Sequence, residues 1–344
     1  MLACVMRIGP WLRVRPAAGA RPPATQGTLR IAVLALVLAA VAATAFPLLV
    51  YSTTLAMFGL AHAVVELRIL DVRYRRSLPS VAGWVVGAAL LSVFTVRVAT
   101  NLGWLDRALA HDLELLSGCA AVVAMVPWCA ARGPLHLLVA TAVATLLVLG
   151  VLTDPQTTIL VLAVLHNLAP WPLLVAVTPP GARRRLAVLG AVVFVIVPLV
   201  IATGVPFDAL RQLGAVAPEA SVLPTGPLFD HLGSFWGPAP DRHPAAALHV
   251  FSACAYLQCA HYLAVLVVLP RHGPAATRLA PWAVLIPVGV GLVIAATYAL
   301  DFAGARAWYG TIAGVHAWAE FPALLLATGA MLGAPTRGHL SPGA

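Results

Sequence analysis

Apolar residues run along this chain in long uninterrupted stretches, each closed by proline, glycine or an arginine cluster, instead of alternating with polar ones. A helical bilayer crossing needs about 20 such residues. Stretches near that length recur ten times, at 31–50, 53–72, 80–98, 115–131, 134–153, 156–178, 186–204, 246–269, 280–300 and 308–333. Only helices or closed barrels satisfy their backbone inside lipid, and runs this long are helical. The pattern predicts an all-α, polytopic membrane bundle of about ten transmembrane helices. It divides the chain into a flexible basic tail at 1–30, helices 1–7 over 31–204, a connection at 205–245, helices 8–10 over 246–334, and a tail at 335–344.

The 205–245 connection carries Pro206, Pro218, Pro224, Pro227, Pro238, Pro240 and Pro244 with Phe229, Phe235 and Trp236. Connections this long are usually lids or disordered, and the aromatics favour a lid on the outer surface. Composition agrees with the membrane reading: 61% of the 344 residues are hydrophobic and 10% charged, far from a soluble mix. No room remains for a separate soluble catalytic domain, so any chemistry sits among the helices.

The formal net charge is +9, and every basic residue is arginine. The arginines cluster beside apolar spans, which is the mark of insertion bias and of anionic lipid headgroups as partners, not of nucleic acid. With the N-terminus inside, fifteen arginines fall on the cytoplasmic side and five outside (Arg97, Arg107, Arg211, Arg242 and Arg306), with Arg68 inside a span. That asymmetry predicts cytoplasmic N- and C-termini in a multi-pass protein of the cell membrane. The five cysteines contain no C-x-x-C pair, so they suggest neither a zinc site nor a redox motif.

Ionisable side chains inside spans cost several kilocalories and persist only with a partner, a cavity or a metal. The second predicted helix has His62 and Glu66, four apart on one face. The sixth has His166, the eighth His261 beside Tyr262, and the tenth Tyr309, His316 and Glu320 on one face. All four helices run in one direction in this topology, so the depths can converge. Four imidazoles and two carboxylates at one depth suit iron, copper, manganese or zinc. The expected ligands are His62, His166, His261, His316, Glu66 and Glu320, with Tyr309, Tyr262 and Glu320 as catalytic candidates for proton movement.

Each histidine taken singly also fits a packing role, and Glu66 also fits an ion pair with Arg68 or Arg73. His111, Asp112 and Glu114 read as a solvated rim beside Arg107. His136, His231, His243, His272 and His339 read as solvated, and His249 is open. Metalloprotease, nucleotide-binding and serine-hydrolase motifs are missing, as are clustered histidine boxes.

The segment Gly59-Leu60-Ala61-His62, followed by Glu66, resembles a glycine-leucine-proline-histidine segment with a nearby acid in the bacterial membrane β-carotene-cleaving oxygenases related to bacteriorhodopsin-associated proteins. The resemblance implies a polytopic enzyme that holds iron through histidines on several helices, with His62 among them. That family also places two ligating histidines four apart on one helix, whereas His261 has Leu257 and Val265 at that spacing. The leading expectation is an integral membrane metalloenzyme. It would be a non-haem iron oxidoreductase acting on a carotenoid, isoprenoid or acyl chain that enters from the lipid. A proton- or solute-coupled transporter, a bis-histidine haem electron carrier and a structural scaffold remain open alternatives.

Overall fold

The structure, a computed structural model, describes residues 26–74, 80–236, 242–272 and 279–331. Residues 1–25 of the expected tail, Arg75, Arg76, Arg278, Arg337 and His339 lie outside this set, as do Pro238 and Pro240. Among the described residues every regular element is helical. In chain order these are α1 (Gln26–Ala45), α2 (Pro47–Tyr74), α3 (Ser80–Asn101), α4 (Arg107–Val123), α5 (Val126–Ala130), α6 (Pro134–Thr153), α7 (Pro155–Leu168) and α8 (Pro170–Val177). There follow α9 (Pro180–Ala191), α10 (Val197–Ala202), α11 (Val205–Gln212), α12 (Leu228–Trp236), α13 (Pro244–Leu263), α14 (Trp282–Leu300) and α15 (Phe302–Met331).

Among the described residues, eight stretches are long and apolar enough to cross a bilayer: Pro47–Tyr74, Val81–Asn101, Arg107–Ala130, Pro134–Thr153, Pro155–Val177, Pro180–Ala202, Pro244–Arg271 and Trp282–Leu300. The ten expected spans therefore become eight by this measure. Of α1, the part with described side chains, Val33–Ala45, is too short to count. α15 has 30 residues, but His316 and Glu320 dilute its apolar character. The chain is a multi-pass helical bundle of membrane-protein character.

Proline sets most of the helix boundaries. It opens α2, α6, α7, α8, α9 and α13, positions where its missing N–H costs nothing. Where it falls mid-run, the helix widens upstream of it. A π-helical turn at Val192–Ile196 precedes Pro198, and another at Ala264–Val268 precedes Pro270. Each widening relieves the clash between the proline ring and the carbonyl four residues back. Two corners turn on one residue: Asp154 (φ −151°) and Asp301 (φ −150°) are extended between flanking helices. Their carboxylates cap the next helix through Thr157 N and Gly304 N.

The helices that matter for the site all point the same way. Tyr51 packs on Phe251 near the start of α2 and α13. Their far ends meet where Arg73 donates to the carbonyls of Leu269 (2.7 Å) and His272 (2.6 Å). Tyr309 lies against Gly59, while Ala323 and Ala327 share a buried cluster with Val65, Ile69 and Leu173. Thus α2, the α7–α8 rod, α13 and α15 are parallel. Small residues allow their neighbours close in, as where Gly291 of α14 rests on the Met57 carbonyl and Ala61.

The 205–245 connection contains two short helices, α11 and α12, within its described part. α12 lies against the bundle: Leu228 and Leu232 are buried in one cluster with Leu48, Tyr51, Phe251 and Phe302.

Candidate metal centre

Two helices bring the same short pattern to the centre. His62-x-x-x-Glu66 on α2 and His316-x-x-x-Glu320 on α15 each place an imidazole and a carboxyl one helical turn apart on one face. His166 reaches in from α7 and His261 from α13. His166 stands three residues before the break at Ala169–Pro170, and His261 three before the π-helical turn at Ala264. Both lie where regular backbone ends, and such irregularities inside helices frequently mark functional sites.

The six side chains meet. One ligating atom from each of His62, His166, His261 and His316 fits within 4.8 Å of all the others, and the same holds for Glu66, His261, His316 and Glu320. The rings pack edge to face or tilted: His62–His261 at 5.0 Å between centroids, His62–His316 at 4.9 Å, and His166 at 4.6 Å from both His261 and His316. His166 Nδ1 lies 2.8 Å from Glu320 Oε2, and His261 Nε2 lies 3.2 Å from Glu66 Oε2. His62 Nδ1 faces the Phe58 carbonyl at 3.2 Å, so it donates there and leaves Nε2 as a lone-pair donor towards the centre.

Burial is nearly complete. His62, Glu66, His261, His316 and Glu320 are at most 1% exposed, while the His166 side chain keeps 14%. Within this shell His62 Nε2, both nitrogens of His261 and His316, both oxygens of Glu66 and Oε1 of Glu320 make no hydrogen bond of good geometry. Buried polar atoms are almost always paired, and an unpaired one costs about 1–3 kcal/mol. A cluster of such atoms around one point is suited to a cation. Imidazole nitrogen and carboxylate oxygen are donors that first-row transition ions accept. These buried His and Glu groups could hold a metal ion.

Tyr262 lies over His62 at 4.2 Å between ring centroids, and Tyr309 stands 6.4 Å from the same ring. The two phenols share a side-chain hydrogen bond. All the sequence-derived candidates therefore lie in one cluster. The alternative ion pair for Glu66 does not form: Arg68 bonds Asp71 at 2.8 Å, and Arg73 donates to the Leu269 and His272 carbonyls.

Several polar residues are placed otherwise than the sequence suggests. Glu114 is not a solvated rim residue. The helix expected from residue 115 begins at Arg107, which draws Glu114 into the bundle. There it accepts from Arg97 Nη2 (2.6 Å) and Trp318 Nε1 (3.2 Å). Arg97, expected at the outer boundary, also donates to the Gly310 carbonyl at 2.7 Å. It crosses Gly314, where a Cβ would collide with it. His111 and Asp112 stay near the surface, 3.8 Å apart.

His136 and His231 are buried rather than solvated. His136 Nε2 lies 2.6 Å from the Leu325 carbonyl, and His231 Nε2 lies 3.0 Å from the Thr225 carbonyl. His272 is partly buried, and His243 is exposed. His249, open at the sequence level, lies against Phe207 and the backbone of Gly204. Sequence signals for these positions were thin. Only the apolar residues flanking His136 hinted at burial.

No protein-family profile matches the chain, and neither the characterised proteins nor the solved structures contain a significant match. The functional reading rests on the geometry of the cluster itself.

Proposed function

We propose that this chain is an integral membrane metalloprotein that binds a transition ion, iron foremost, through His62, His166, His261, His316, Glu66 and Glu320, and acts as an oxidoreductase on an apolar substrate. The observation that carries the reading is the convergence of four imidazoles and two carboxyls, many of whose inward atoms, on His62, His261, His316, Glu66 and Glu320, have no hydrogen bond of good geometry. A scaffold would tie such groups to one another or to backbone. Leaving this many unpaired in a dry interior would cost more than the fold could readily repay.

The ion would supply redox and Lewis-acid chemistry. The residues do the rest. The carboxyls of Glu66 and Glu320 offset its charge in a low-dielectric interior. Phe58 fixes the tautomer of His62 through its carbonyl. Tyr262 and Tyr309, beside His62, are placed to hold or pass a proton between their hydroxyls. His166 is the one cluster member with appreciable exposure, and no α7 side chain is fully buried. A lipid-soluble molecule such as a carotenoid, isoprenoid or acyl chain would therefore approach laterally past α7. Axial imidazoles face each other across a porphyrin plane, whereas these rings surround a common point, which favours a bare ion over haem.

We also read α1 and α15 as spans, making ten, with both termini on the cytoplasmic side of the cell membrane. The arginine asymmetry and the 20- and 30-residue lengths of these helices support this.

The test is elemental analysis of detergent-purified protein beside its ultraviolet–visible spectrum. Stoichiometric iron or a similar ion without a haem band is the expected result. His261→Ala and His316→Ala should each lower metal content at least tenfold while still inserting into the membrane. Metal-free wild-type protein after loading would overturn the proposal and direct attention to proteoliposome flux assays.

A further inference from the structure

The donor set is larger than one ion needs, and it has an internal order. A four-coordinate ion uses four donors, whereas six residues converge here. They sort into two overlapping groups of four that share His261 and His316. The contacts divide them further. Glu66 lies against His261 and one turn from His62; Glu320 lies against His166 and one turn from His316. Each half is therefore two histidines and one carboxylate, contributed by a His-x-x-x-Glu helix and one histidine from a neighbouring helix. Two histidines and a carboxylate are also the ligand set of many mononuclear non-haem iron sites, with coordination positions left open.

Resting on the metal reading above, we propose that the cluster is a two-ion centre. One transition ion is bound by His62, Glu66 and His261, and the second by His316, Glu320 and His166. Paired ions in such centres lie about 3.5–4 Å apart, a separation that fits within the span of these overlapping groups. Both oxygens of Glu66 and Oε1 of Glu320 are buried without a hydrogen bond of good geometry, and Glu66 Oε2 lies 3.2 Å from His261 Nε2. A single four-coordinate ion would leave two of the six donors without a cation, whereas one ion in each half meets both carboxylates and all four imidazoles. The shared histidines bring the two halves into contact without a separating wall.

The experiment loads full-length wild-type protein in detergent with manganese(II) alone, removes excess metal, and counts ions per chain by mass spectrometry. Electron paramagnetic resonance on the same sample reports whether the ions are magnetically coupled. Two manganese ions per chain with an exchange-coupled spectrum are expected. Glu66→Gln and Glu320→Gln should each reduce the count from two to about one and convert the spectrum to that of an isolated ion. One ion per wild-type chain with an isolated-ion spectrum would overturn the two-ion centre and leave the metal proposal intact. No bound ion would overturn that proposal as well. Because the deciding count is made on the wild-type chain, a variant that misfolds does not remove the test.

Discussion

Glu66 and Glu114 are both carboxyls carried into an apolar bundle, and they meet their cost in different ways. Glu114 is matched side by side with a guanidinium and an indole N–H. Glu66 faces imidazoles and a second carboxyl, with Oε2 3.2 Å from His261 Nε2 and no hydrogen bond of good geometry to either oxygen. The first arrangement is finished; the second could hold a cation. Glu114→Ala should strand Arg97 and Trp318 and destabilise the protein by about 2–3 kcal/mol. That is below the usual cost of breaking a fully buried pair, because Arg97 retains some solvent contact. Thermal unfolding in detergent would show a clear fall in midpoint, and an unchanged midpoint would contradict the assigned role. The metal candidates were legible in the sequence because an ionisable group inside a span is conspicuous. The partner of Glu114 was not, since placing helix α4 eight residues too late put that carboxyl outside the bundle.

At the scale of elements, close approach is bought with glycine. The α4 helix passes α15 at Gly118, where a Cβ would run into the Trp318 ring. Gly118→Val should cost about 1–3 kcal/mol through overpacking and should also disturb the neighbouring His316 and Glu320. Reduced metal occupancy alongside the lower unfolding midpoint is the expected signature.

The α12 helix provides a second case. His231 donates through Nε2 to Thr225, so its Nδ1 is left as the acceptor facing Arg306 Nη1 at 3.4 Å. Burial holds its pKa below the ordinary value of 6.5, and the Arg306 charge pushes the same way. The Thr225 hydrogen bond and the Asp230 and Glu219 charges act in opposition. The folded state therefore binds fewer protons here than the unfolded state. Its contribution is present above about pH 6.5 and is lost as pH falls below that. Amide protection factors across Leu228–Trp236, taken relative to intrinsic exchange at each pH, should fall on acidification to about pH 5. His231→Gln should flatten the response, and an acid response that persists in this variant would place the titrating group elsewhere.

For the whole molecule, the long apolar runs disclosed a helical membrane bundle, because the bilayer imposes both length and helicity. They did not disclose how the helices break. The π-helical turns before Pro198 and Pro270 and the one-residue corners at Asp154 and Asp301 depend on local backbone accommodation that hydropathy does not register. The expected lid region was read as a proline-rich connection. Its two short helices were obscured because α11 and α12 are brief and flanked by prolines. The meeting of the six donors was foreseeable only as a matter of depth. Their lateral neighbourhood depends on which helices pack together, and one sequence does not specify that.

The common direction of α2, α7, α13 and α15 has a bearing on how the protein is made. Donors at positions 62, 66, 166, 261, 316 and 320 enter the membrane at widely separated moments of synthesis, and the final pair arrives with the last helix described. Until α15 is inserted, a nascent chain holds His62, Glu66, His166 and His261, including the Glu66–His261 pair, but lacks His316 and the Glu320 that faces His166. The six-residue cluster, and with it the metal centre proposed above, is therefore assembled only when the last described helix joins the bundle.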